Sequence, residues 1–214
     1  MSSDQGASPR ATIFNVPNQL TMARLILAVI MFCLIPWGTS ATYWTAVVLF
    51  VLAAGTDWLD GYYARKYDLV TVLGRILDPF ADKVIICGTF IFLVAVSEMA
   101  QIPFGLRAWM VVVIVSRELL VTVLRSFIEQ QGADFSAKIS GKLKMVLQCL
   151  AAALALVYLA LAGHQAAWMV GLQWLLVGSI WAAIVLTVYS GLVYVRATLT
   201  AQSFATALGL NFKR

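Results

Sequence analysis

The sequence predicts an all-α integral membrane protein with six transmembrane helices and both termini in the cytoplasm. Three observations predict it. Hydrophobic residues make up 62% of the 214 positions and charged residues only 12%, a balance outside the range of soluble domains. The apolar residues fall into runs of about 20, the length a helix needs to cross a hydrocarbon core of ~30 Å. The basic residues gather at alternate ends of those runs.

The first span runs from about Leu20 to Pro36 and is closed by Pro36-Trp37-Gly38. The second covers about Tyr43 to Tyr63, and the third about Asp78 to Val96. After the Gln101-Ile102-Pro103 break, the fourth runs from about Phe104 to Ile128. Residues 145–195 contain no Asp, Glu, Lys or Arg and are too long for one crossing. Gly163-His164-Gln165 divides them into a fifth span, about Gly141–Ala162, and a sixth, about Ala167–Val195. Residues 1–19 then form a cytoplasmic N-terminal segment without the basic–apolar–small order of a cleaved signal peptide. Residues 20–195 form one membrane domain and 196–214 a cytoplasmic tail.

With the N-terminus inside, the inner ends hold Arg10, Arg24, Arg65, Lys66, Arg75, Lys138, Lys142, Lys144, Arg196, Lys213 and Arg214, whereas the outer loops hold only Arg107. This is the positive-inside pattern. Tyr43, Trp44, Trp109, Trp168 and Trp174 fall near the outer ends as an aromatic belt. The net charge of +5 therefore reflects topology and an anionic ligand or headgroup, not nucleic acid, for which no basic groove interleaved with aromatics is present. Cys33, Cys87 and Cys149 lie singly in separate apolar runs and read as small buried hydrophobes. His164 reads as a loop residue.

Five of the ten acidic residues fall between positions 57 and 82, across the boundary of the second and third spans, and four of them, Asp57, Asp60, Asp78 and Asp82, form two spaced pairs. Four carboxylates at a membrane edge repel one another unless cations lie between them. Asp57 and Asp60 are three apart on one helix face; Asp78 and Asp82 are four apart on another. Two such pairs can converge on two divalent cations, and the absence of nearby Cys or His favours Mg²⁺ or Mn²⁺ over zinc. Two metals at a membrane edge suggest displacement at phosphorus on a lipid. Gly61 and Gly74 remove side chains where a phosphate could approach the backbone, and Arg65 can pair with a pyrophosphate. A salt-bridge network with Arg65, Lys66, Arg75 and Lys83 is the bland alternative. Packing suffices to explain Trp58, Tyr62, Tyr63 and Phe80.

The run Asp57-x-x-Asp60-Gly61-x-x-Ala64-Arg65, followed after eight residues by Gly74-x-x-x-Asp78-x-x-x-Asp82, resembles the signature of the CDP-alcohol phosphotransferases. The resemblance implies a six-helix bundle, commonly a homodimer, with a polar cavity open to the cytoplasm. It implies that Asp57, Asp60 and Asp78 hold two divalent metals, with Asp82 contributing to the second and acting as catalytic base. It further implies that CDP-diacylglycerol is bound by Asp60, Gly61, Ala64, Arg65 and Gly74, and that an acceptor alcohol displaces CMP.

Three other segments bear on the acceptor. Asn15-Val16-Pro17-Asn18-Gln19-Leu20-Thr21-Met22-Ala23-Arg24, then Ser116-Arg117-Glu118-Leu119 with Arg125, then Ser140-Gly141-Lys142-Leu143-Lys144 are similar to segments of the phosphatidylglycerophosphate synthase branch of that family. Met145 stands where that branch usually has Thr. Arg117 and Glu118 lie too deep in the fourth span to be idle surface charges. Glu118 and Arg125 share a face and can pair, which leaves Arg117, Lys142 and Lys144 to hold the phosphate of glycerol 3-phosphate. The two lysines could instead anchor the fifth helix at the headgroups. The expected activity is phosphatidyl transfer to glycerol 3-phosphate in phospholipid biosynthesis, at the cytoplasmic face of a bacterial inner membrane. A cardiolipin synthase using phosphatidylglycerol is the alternative within the family. A cation transporter is the alternative outside it, although the outer halves of the spans are nearly uncharged.

Overall fold

The computed structural model describes residues 16–66, 72–130, 139–163 and 167–207; His164 and both chain ends lie outside them. The described residues are all helical or turn. The long helices are α1 (Val16–Leu34), α2 (Ser40–Lys66), α3 (Val72–Val94), α5 (Ala108–Gln130), α6 (Ile139–Leu161) and α7 (Trp168–Ala207), with a short α4 (Ser97–Gln101) between α3 and α5. Each long helix corresponds to one expected span. Pro36 falls in a single 3₁₀ turn, Ile35–Trp37, after which Gly38 takes φ 68° and turns the chain into α2.

Boundaries differ where charge hid the helix. The third helix begins at Val72, six residues before Asp78, and runs through Pro79. Pro79 offers no N–H to the Arg75 carbonyl, yet the helix continues. The last helix does not stop near Val195 but reaches Ala207. At 1.5 Å per residue its 40 residues extend about 60 Å, roughly twice a bilayer core.

Among the described residues three stretches are long and apolar enough to cross a membrane: Asn18–Trp37, Leu143–Leu161 and Trp168–Arg196, with a shorter apolar stretch at Ser40–Thr56. The shortfall from six has a physical reason. The apolar part of α2 ends at Asp57, α3 carries Arg75, Asp78, Asp82 and Lys83, and α5 carries Arg117, Glu118 and Arg125. Polar chemistry interrupts those three helices. The protein is an integral membrane protein by its apolar helices and by its surface: Ile26, Val29, Val48, Val51, Val112, Val123 and Val185 all face outward. A soluble bundle would not leave so many large aliphatics on its outside.

The helices close into a ring in the order α1, α2, α6, α7, α5, α3 and back to α1, while α3 also reaches α6 across the middle. Small residues allow this. On α6, Ala151, Ala152, Ala155 and Ala160 are buried, so neighbouring backbones approach closely, as membrane helices require. Ser40 Oγ donates to the Ala160 carbonyl at 2.7 Å, joining the start of α2 to the end of α6. At the same end Trp181 Nε1 donates to the Phe104 carbonyl at 3.0 Å. That bond steadies a non-glycine residue held at φ 57°.

Trp44, Trp109, Trp168 and Trp174 are exposed as a belt would be, but Tyr43 is buried, 3% exposed. Its position on α2 faces the bundle. Cys33 is likewise exposed rather than buried, while Cys87 and Cys149 are half-buried; all three are free thiols.

One tight contact gives a stability test. A Cβ on Gly88 of α3 would come within 2.2 Å of Phe32 Cζ on α1, and Phe32 stacks on Phe92 at 5.0 Å, which limits its escape. Gly88→Ala gains up to about 1 kcal/mol in helix propensity but overpacks the contact by about 1–3 kcal/mol. The expected result is a lower unfolding temperature in detergent, recovered when Phe32→Leu is added; an unchanged or raised temperature for the single variant would contradict the packing.

Candidate active site

At the end of the bundle opposite the Ser40–Ala160 junction, α3, α5 and α6 surround a cavity of about 300 Å³. It is lined by Asp78, Pro79, Asp82, Lys83, Ile86, Glu118, Arg125, Lys144, Met145 and Gln148. Two of the four expected aspartates thus share a cavity with one of the three expected acceptor cations. The lining of one sign is answered by the other, as suits a site for a polar, anionic ligand in an apolar bundle.

The aspartates are held from α1. Thr21 Oγ1 donates to Asp78 Oδ1 at 2.5 Å. Arg24 Nη2 forms an ion pair with Asp82 Oδ1, and its Nε donates to the Ala53 carbonyl of α2 at 3.1 Å. Arg24 is almost wholly buried, 1% exposed, while Asp82 opens to the cavity at 27%. On the same helix Lys83 Nζ caps the Pro79 carbonyl at 2.9 Å.

The opposite wall is a second polar network. Lys144 Nζ of α6 pairs with Glu118 Oε1 of α5. The same oxygen lies 3.4 Å from Arg117 Nη1. Arg117 Nη2 donates to Ser190 Oγ of α7 at 2.9 Å, and the guanidinium sits 5.7 Å from the Tyr194 ring centroid. Gly191 makes room for its stem, since a Cβ there would meet Arg117 Cγ at 3.1 Å. Gln148 Nε2 donates to Thr187 Oγ1 at 3.0 Å, both buried.

The structure therefore brings Asp78, Asp82 and Lys144 together. It turns Arg117 toward α7, away from the cavity lining, and gives Glu118 to Lys144 and Arg117, where Arg125 was the expected partner. Asp57, Asp60, Gly61, Ala64 and Arg65 fall on the last turns of α2, and Gly74 on the first turn of α3; their side chains, with that of Lys142, lie outside the described residues. Among the described residues no group of three or more metal-type side chains assembles. Sequence reasoning gave no role to Thr21, Gln148, Thr187 or Ser190. The available signal was a polar residue inside an uncharged apolar run, which is costly unless partnered.

A family model described as CDP-alcohol phosphatidyltransferase matches residues 14–189. The chain belongs to that family. Among curated relatives of this CDP-alcohol phosphatidyltransferase is a CDP-diacylglycerol–glycerol-3-phosphate 3-phosphatidyltransferase of Bacillus subtilis, 39% identical over 65% of this chain and 75% of the relative. A protein of the same name from Rickettsia typhi is 34% identical over 87% of this chain and 98% of the relative. A probable phosphatidylglycerophosphate synthase of Mycobacterium tuberculosis H37Rv is 36% identical over 89% and 84%. The family match spans α1 to most of α7, so it takes in every helix that walls the cavity.

The Glu118–Lys144 pair makes a direct prediction. Removing one member of a buried pair strands the other and costs about 3–5 kcal/mol. Glu118→Gln should therefore destabilise the detergent-solubilised protein by that order, and Lys144→Met added to it should restore most of the loss. A double-mutant cycle with no coupling would show that the pair is not formed.

Proposed function

We propose that this chain transfers the phosphatidyl group of CDP-diacylglycerol to sn-glycerol 3-phosphate, giving phosphatidylglycerophosphate and CMP. The observation that carries the reading is the cavity in which the carboxylates of Asp78 and Asp82 face Lys144 and Arg125, in a member of a family whose similar relatives bear that activity in their names. The acceptor hydroxyl attacks the phosphatidyl phosphorus. A new P–O bond forms as the bond to the CMP phosphate breaks, and Asp82 takes the hydroxyl proton. Lys144 and Lys142 hold the acceptor phosphate, with Arg117 steadying the wall behind Lys144. Asp60, Gly61, Ala64, Arg65 and Gly74 receive the cytidine diphosphate.

The donor set suits divalent metal. Asp78 and Asp82 lie one turn apart with hard oxygen donors at a cavity whose described lining contains no thiol or imidazole. Asp57, Asp60, Asp78 and Asp82 would hold two Mg²⁺ or Mn²⁺ ions, which supply charge neutralisation at the pyrophosphate. The protein's own groups orient the hydroxyl, exclude bulk water and receive its proton.

The rest of the reading is topological. Six spans place the N- and C-termini and the α2–α3 connection in the cytoplasm, with the cavity facing the cytoplasm at the inner membrane of a bacterium, in a homodimer. Basic residues at that end support it. Cysteines introduced near Ser40 and Gln165 should react with an impermeant reagent from outside; reaction only from the cytoplasm would reject six spans.

Activity tests the chemistry. Purified protein with CDP-diacylglycerol, Mg²⁺ and a panel of alcohols should release CMP with glycerol 3-phosphate; use of phosphatidylglycerol alone would make it a cardiolipin synthase. Asp82→Asn should lower turnover by at least ~10²-fold with donor binding retained. Lys144→Gln should raise the acceptor KM, or lower kcat/KM, about ten- to a hundredfold, the worth of a charge-assisted phosphate contact, with far less change in the donor KM. Equal changes in both constants would remove Lys144 from the acceptor site.

A further inference from the structure

Helix α1 buries three polar residues at intervals of three, Asn18, Thr21 and Arg24, at 4%, 0% and 1% exposure. Three residues advance a helix by most of one turn, so they form a stripe on one face. The outward face of the same helix is aliphatic, with Ile26, Val29 and Ile30 exposed. A helix that needed only to fill a membrane bundle would carry no such stripe, because each buried polar group needs a partner.

The partners of Thr21 and Arg24 are the two cavity aspartates. Thr21 and Arg24 stand about one turn apart on α1, as do Asp78 and Asp82 on α3, and the pairs meet as two rungs: Thr21 Oγ1 to Asp78 Oδ1 and Arg24 Nη2 to Asp82 Oδ1. Arg24 adds a third attachment through Nε to the Ala53 carbonyl, one turn before Asp57 on α2. Neither Thr21 nor Arg24 lines the cavity.

We propose that Thr21 and Arg24 are positioning residues for the reaction, setting the orientation of the Asp78 and Asp82 carboxylates toward the cavity. This rests on the reading above that those aspartates serve phosphatidyl transfer. The planar guanidinium matters because its N–H groups point in fixed, different directions. With Nε committed to a backbone carbonyl of α2, the direction of Nη2 is set, and with it the rotation of the Asp82 carboxylate. Arg24 thereby refers a side chain of α3 to the backbone of α2, the helix that carries the other aspartate pair. Thr21 holds Asp78 from α1 with one hydroxyl. Misplacing a reacting group by about an ångström can cost about a hundredfold in rate, so the effect belongs in kcat and not in substrate affinity.

The test compares full-length Thr21→Val, Thr21→Ser, Arg24→Lys and Arg24→Gln with wild type in detergent. Unfolding temperature, kcat, both substrate KM values and the Mg²⁺ needed for half-maximal rate are measured. Thr21→Val keeps the shape and loses the hydroxyl; its kcat should fall about ten- to a hundredfold with both KM values within about threefold, and it should need more Mg²⁺. Thr21→Ser should recover most of the rate. Arg24→Lys keeps the charge but lacks the second fixed N–H direction, and should remain folded while retaining less than about a tenth of kcat. Normal kcat in folded Thr21→Val and Arg24→Lys overturns the proposal, as does a loss that tracks unfolding temperature and is not rescued by Thr21→Ser. If Arg24→Gln fails to fold, the threonine pair and Arg24→Lys still decide. Wild-type protein that uses only another alcohol overturns the acceptor assignment, and the same kcat ratios are then read with that alcohol. Wild-type protein that releases no CMP with any acceptor overturns both.

Discussion

Charge inside an apolar bundle is expensive, and the arrangement of this protein follows from where that charge is placed and how it is matched. A carboxylate or guanidinium at membrane depth is tolerated only against a counter-charge or hydrogen-bonding groups. Here those demands are met at one end of the ring by contacts between helices distant in sequence: Arg24 with Asp82, Thr21 with Asp78, and Lys144 with Glu118. The opposite end is held by side chains that donate to backbone carbonyls, Ser40 to Ala160, Trp181 to Phe104 and Arg107 to Ala100. Catalytic potential and structural cohesion are thus drawn from the same ion pairs.

The cavity has two walls of different character. The α3 wall, backed by α1, presents carboxylates. The α5–α6 wall, backed by α7, presents cations with a carboxylate shared between two of them. Glu118 keeps Lys144 and Arg117 from repelling one another while leaving a surplus of positive charge, and Arg117 is further occupied by Ser190 and Tyr194. The cationic wall suits a phosphate, whereas the carboxylates of the α3 wall suit a cationic or metal-bound part of a ligand.

Much of this was legible in the residues. Each of the six expected runs falls in one long helix, although among the described residues only stretches of α1, α6 and α7 are long and apolar enough to cross a membrane. The spacing of Asp78 and Asp82 placed both on one helix face, and both do line the cavity. Helix ends were read less well wherever charges interrupted hydropathy, as at Val72, and the extension of α7 to Ala207 carries no apolar signal. Tyr43 and Cys33 were misjudged because composition says which helix a residue occupies but not which face it presents. Partner choice was the least accessible level: Glu118 could be placed opposite Arg125 by spacing alone, whereas the fold brings Lys144 of α6 to it across the cavity that α3, α5 and α6 surround. Long-range pairing depends on the order of helices around the ring, which local periodicity does not encode.

That order is not the order of synthesis. Helix α6 lies between α2 and α7, and α7 separates α6 from α5, so the most C-terminal of the described helices closes the circle. Until it arrives, Gln148 and Arg117 lack Thr187 and Ser190 as partners, and one polar wall faces lipid or a neighbouring protein. A chain truncated before α7 would hold most of the family's signature residues yet would keep an unsealed flank. Completion of the circle therefore withdraws a sideways-facing polar surface, as Gln148 and Arg117 meet Thr187 and Ser190.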